Sequence, residues 1–146
     1  MLKFFTLQQA QQLLPQVETA IREAISLRSE YEDAESDVQN FSRRVMMQGG
    51  MLVDRERLSM RKERCDSGAT RLKQSIEKID SFGCIIKDLN IGLIDFPTLY
   101  RGNEVYLCWK LGETAIQFWH GIEEGFRGRK EIDRDFLDNH KGESAY

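Results

Sequence analysis

The sequence predicts an α+β fold: a long antiparallel helical hairpin, followed in the C-terminal half by a small antiparallel β-sheet. Three observations carry this. The chain up to Phe82 is poor in glycine and its apolar residues recur at steps of three and four. From Cys84 onward glycine, aromatics and alternating β-formers take over. Gly49-Gly50 interrupts the helical half near its middle, where a tight reversal would fold it into a hairpin.

Thr6 followed by Gln9 reads as a capping box with Phe5 as its staple residue. A short helix from Leu7 to Leu14 would meet Pro15, expected in the first turn of a new helix or at a kink. The stripe then runs through Val17, Ile21, Ala24, Ile25, Tyr31, Ala34, Val38, Phe41 and Val45. A second helix, capped by Asp54, carries Leu58, Cys65, Ala69, Leu72, Ile76 and Ile79 and stops at Gly83. Helices of roughly 30 residues span on the order of 45 Å. Neither can bury its stripe fully against one partner, which calls for a dimer or a third layer.

Cys84–Leu89 is a candidate first strand, ended by Asn90 and Gly92. Glu104–Leu111 is the next, opened by the Arg101-Gly102-Asn103 turn, with Val105, Leu107, Trp109 and Leu111 on one face. After the Gly112-Glu113-Thr114 turn, Ala115–His120 returns as a third strand. The expected organisation is one domain over 1–146: hairpin 1–83, β-rich part 84–129, and a charged, weakly ordered tail 130–146.

The 146 residues hold 21 basic and 24 acidic side chains, a net charge of −3 that excludes a generally basic nucleic-acid or membrane-surface binder. Arg57, Arg61, Arg64 and Arg71 form a stripe on the second helix. Glu56 and Glu63 interleave with it, so it reads as a solvated face. No apolar run approaches the ~18 residues of a spanning helix. Cys65, Cys84 and Cys108 form no CxxC and cannot all pair, which points to free thiols in a reducing cytoplasm.

Segments of the second half resemble an uncharacterised prokaryotic family, a domain of unknown function. They are Lys87-Asp88-Leu89, Gly92 to Pro97, Leu107-Cys108-Trp109, Leu111-Gly112-Glu113, Phe118-Trp119-His120 and Gly125 to Arg129. Phe5-Thr6-Leu7 and Leu13-Leu14-Pro15 also fit, whereas Gly121 departs from the pattern. The resemblance implies a small bacterial cytosolic protein and names no reaction.

Four places could carry chemistry. Asp95, placed in a loop before Pro97, with His120 and Glu123 would supply the three ligands of a divalent metal such as zinc, serving a hydrolase-like reaction. The simpler reading makes His120 a structural ring bonded to Asp95 or Glu123. Cys108 with His120 and Asp95 would make a nucleophilic trio, although a mid-strand cysteine more often packs. Arg127 and Arg129 on a glycine-rich loop could hold an anion, or pair with Glu123, Glu124 or Asp95 and pin the loop. The aromatics around Trp109 and Trp119 could line a small-molecule site or form core. The two indoles are expected on opposite faces, with Trp119 turned toward the glycine-rich tail or a partner subunit. The favoured function is a non-enzymatic interaction or ligand-binding module, homodimeric through its helices. A metal-dependent enzyme using Asp95, His120 and Glu123 is the alternative.

Overall fold

A computed structural model describes residues 3–49 and 52–142. Helix α1 runs Leu7–Met47 and helix α2 Leu52–Ser81. Strands β1 (Ile85–Asp88), β2 (Leu93–Tyr100), β3 (Asn103–Lys110), β4 (Phe118–Gly121) and β5 (Lys130–Glu131) follow. A short helix α3 (Arg134–Asn139) and strand β6 (His140–Lys141) complete the order. The capping box forms as the sequence dictates: Gln9 N–H donates to Thr6 Oγ1 at 3.1 Å, and Thr6 N–H to Gln9 Oε1 at 3.0 Å.

Pro15 does not divide α1; it lies within one continuous helix. The residue is exposed, so the carbonyl left without its N–H partner is on the solvent side. Asp54 lies in the first turn of α2 rather than capping it; the carboxylate still favours the positive end of the helix. Gly83 ends α2 region at a φ of +93°, open to glycine without strain.

In space the chain forms two compact units. One joins the chain up to Arg22 with everything from Lys78 onward; the other is Glu23–Glu77. In the second unit the two helices pack side by side. A Cβ at Gly68 would lie 3.9 Å from the Cα of Tyr31, Arg61 pairs with Asp37 at 3.1 Å, and the Arg61 guanidinium stacks over Phe41. Among the described residues no helix is long and apolar enough to cross a membrane.

In the first unit six antiparallel strands form one sheet in the order β1-β2-β3-β4-β5, with β6 paired to β2. The β2–β3 hairpin turns on Arg101 and Gly102, both at positive φ (50° and 81°), as a two-residue connection matched to strand twist requires. Register fixes the faces: Asp95 lies opposite Cys108, Tyr106 opposite His120 and Cys108 opposite Phe118. The other face carries Ile94, Phe96, Val105, Leu107 and Trp109. The main core lies on that second face, where Phe5 meets Phe96 edge-on at 5.4 Å. There Gln11 of α1 also accepts the Ile116 amide at 2.9 Å, and Ala10, Leu14, Val17 and Ile21 are buried.

Asp95 therefore sits in strand β2, not in a loop. Proline made the segment read as irregular, but in a strand a residue's N–H and C=O point to the same side. Pro97 O accepts the Phe5 amide at 2.7 Å, and the β1 pairing has already ended at Asp95. The missing N–H thus breaks no ladder bond.

The segment from Lys130, expected to fray, forms β5, α3 and β6 over its described residues. Asp133 caps α3 by accepting the Phe136 amide at 2.8 Å, and Phe136 is completely buried. The two tryptophans share a face, because Leu107 pairs with Trp119 and Ile94 with Trp109. Trp109 is fully buried, and Trp119 is covered in part by Phe136 and Tyr100 at ring separations of 5.0 and 5.1 Å.

Candidate functional site

Strands β2, β3 and β4 bring Asp95, Cys108 and His120 together on the first face of the sheet, all three buried. His120 Nε2 lies 3.0 and 2.9 Å from the two Asp95 carboxylate oxygens, and Nδ1 lies 2.8 Å from the Gly121 carbonyl. Both ring nitrogens face acceptors, so the geometry favours a ring that donates from each. The hydrogen bond to Asp95 accordingly raises the His120 pKa, against the opposing effect of burial. Tyr106 lies beside the ring, 5.5 Å between centroids.

Burial, reinforced by the Asp95 charge, pushes the Cys108 thiol up to about 12, although Arg129 acts in the opposite sense. At neutral pH it is a thiol and not the thiolate a nucleophile requires. The sequence-predicted nucleophilic trio is thus assembled in space, in surroundings that favour the thiol over the thiolate. Cys84 is likewise pushed up to about 12 by burial.

Glu123 does not join this group; it is exposed in the turn after β4. Its neighbour Glu124 folds back instead, accepting the Gly121 amide at 3.1 Å and pairing with Lys130 at 2.7 Å. Among the described residues, the group whose ligand atoms lie within 4.8 Å of one another is Asp95, Cys108 and His120. The Cys108 position in that group follows from β-sheet register, which no local spacing in the sequence encodes.

Arg129 is anchored by a carboxylate and two aromatic rings. Its Nη2 donates to Glu113 Oε1 and Oε2 at 2.7 and 2.8 Å, and its guanidinium stacks over Phe118 at 4.0 Å and Phe126 at 4.8 Å. Arg127 is exposed in the 3-10 turn Phe126–Gly128. Glu113, which the sequence marks only as a turn residue, also accepts the Lys110 amide at 2.7 Å, and its carbonyl accepts the Trp109 indole N–H at 3.0 Å. The nearest local signal for its role is an acid in a tight turn opposite an arginine-bearing loop. Trp109 is core, and Trp119 carries Lys130 over its ring at 4.7 Å.

A second feature arises where α3 meets the start of α1: a cleft of about 620 Å³ lined by Leu7, Gln8, Gln11, Gln12, Leu137 and His140 among others. Docking of the tail creates it, so the sequence held no sign of it.

No curated protein and no solved structure matches the chain. A model of an uncharacterized conserved protein family, DUF2203, matches residues 3–132, which takes in both long helices and strands β1 to β5. The chain belongs to this family.

Proposed function

We propose that this protein acts by binding rather than catalysis, as a cytoplasmic module that pairs with a second copy of itself through its helical hairpin. One observation carries the reading. Within Glu23–Glu77 the apolar stripe stays half-buried: Ile25, Tyr31, Ala34, Val38, Leu58, Ala69, Leu72 and Ile76 all keep partial exposure. Among the described residues there, the buried apolar ones are few, namely Ala24, Leu27 and Phe41. A groove of about 460 Å³ lies along this stripe, lined by Tyr31, Ala69, Leu72 and Ile76 among others. Two helices leave such a stripe wet, and a four-helix arrangement covers it.

A second copy is the favoured partner because the half-buried stripe is its own complement: a two-fold axis lays the same apolar patch of each hairpin against the other. Charges that flank the stripe already pair across one hairpin, Arg61 with Asp37 at 3.1 Å and Arg71 with Glu30 at 3.7 Å, which leaves the apolar stripe as the surface to be covered. The protonated Cys108 thiol and the engaged His120 ring support binding over catalysis. The exposed Glu123 weakens the alternative of a hydrolase built on Asp95, His120 and Glu123.

The test is molar mass by light scattering at micromolar concentration, on wild type and on Leu72→Glu with Ile76→Glu. A wild-type dimer that becomes a folded monomer in the double variant is expected. A monomeric wild type overturns the reading.

A further inference from the structure

We propose that Asp95, Cys108 and His120 form a binding site for one divalent transition-metal ion of the zinc type. An Asp–His ion pair alone would be ordinary structure. The third donor makes the difference: a fully buried thiol placed by β3 directly opposite Asp95, so that oxygen, nitrogen and sulfur donors converge within 4.8 Å.

The donor set is selective. Thiolate and imidazole suit zinc, cobalt and related ions and do not suit magnesium or calcium, which take oxygen ligands. Three protein ligands leave a fourth tetrahedral position for water or a bound group. The ring is already oriented for this role: its Nδ1–H donates to the Gly121 carbonyl, which fixes the ring plane and turns Nε2 toward the cluster. Each donor comes from a different strand of one hydrogen-bonded sheet, so the three are held by a rigid scaffold rather than by loops.

Binding is an exchange of protons for metal. Thiolate, neutral imidazole and carboxylate are the forms that bind, so metal uptake releases whatever protons these donors carry. In the bound form one thiolate and one carboxylate offset the two charges of the ion. The site lies in the sheet-bearing unit and stands independently of hairpin pairing.

The experiment uses the full chain, stripped with chelator and titrated with Co²⁺ while thiolate-to-cobalt charge-transfer and ligand-field absorption are recorded. Saturation at one ion per chain is expected, with Zn²⁺ displacing the cobalt and bleaching the bands. The same titration on Cys65→Ala with Cys84→Ala leaves Cys108 as the sole thiol, so a charge-transfer band there assigns the ligand without requiring a Cys108 variant to fold. Asp95→Asn should weaken cobalt binding at least tenfold while circular dichroism stays unchanged. The proposal is overturned if wild type develops no charge-transfer band, or if the band is lost with Cys65 and Cys84.

Discussion

The amide of Leu7, in the first turn of α1, donates to Nε2 of His140, 133 residues further along the chain, at 3.0 Å. The other ring nitrogen lies 2.9 Å from the Leu137 carbonyl, so Nδ1 carries the proton and Nε2 accepts. His140 thus caps α1 from outside, satisfying one of the amides that a helix start leaves open. His140→Ala should cost about 1 kcal/mol, the usual value of a lost helix cap. Hydrogen exchange at Leu7 should accelerate together with exchange in α3. Unchanged exchange at Leu7 would show that the contact does not hold the tail.

Phe136 anchors the same tail. It is fully buried and stacks on Trp119, Tyr100 and His140 at ring separations of 5.0, 5.0 and 5.3 Å. Phe136→Ala should destabilise the protein by about 3 to 5 kcal/mol, the range for removing a buried ring. The Trp119 emission should shift to the red as the indole loses its cover. A denaturation midpoint equal to that of wild type would contradict the docked tail.

Acid should weaken this docking at the low end of the carboxylate range. The Tyr100 hydroxyl donates to Asp135, and Arg101 pairs with it at 2.6 Å, holding the carboxyl below its ordinary value. The Asn139 amide also donates to it, at 3.1 Å. Because the folded-state pKa is depressed, the contribution is complete above the usual carboxylate pKa of about 3.9. It is lost as pH falls through the depressed value. Trp119 fluorescence should show a step in that window that Asp135→Asn lacks. The amplitude should be small, since Asp135 and Arg101 are about half exposed. An identical step in both proteins would assign it to another group.

Among the described residues of the sheet unit, Glu113 and Arg129 form the most enclosed arginine pair, with side chains 22% and 10% exposed. Removing the carboxylate leaves a guanidinium held between two aromatic rings without its counter-charge. Glu113→Ala should therefore cost about 1 to 3 kcal/mol, the range for leaving a largely enclosed hydrogen-bonding group without its partner. Arg129→Lys should itself lower stability, because lysine keeps the charge but lacks the planar stack over Phe118 and Phe126. Urea denaturation of the two variants decides this. Wild-type stability in Glu113→Ala would reduce the pair to a surface contact.

The sequence by itself determined the parts that depend on near neighbours. The Thr6/Gln9 cap, the two helical stripes, the breaks at Gly49 and Gly83, and the β-rich second half follow from local spacing, because caps and helical faces join residues three and four apart. Tertiary structure decided the rest. Proline hid strand β2, and the pairing of β2 with β3 and β4 alone set Cys108, not Glu123, beside Asp95 and His120. The same register put Trp109 and Trp119 on one face, and burial of Phe136 docked residues 130–142 of a tail whose composition reads as solvated. A one-residue slip in pairing exchanges the two faces of a strand, and nothing within a strand records its partner's register. The helices are therefore written locally, and the candidate site exists only once the strands have paired.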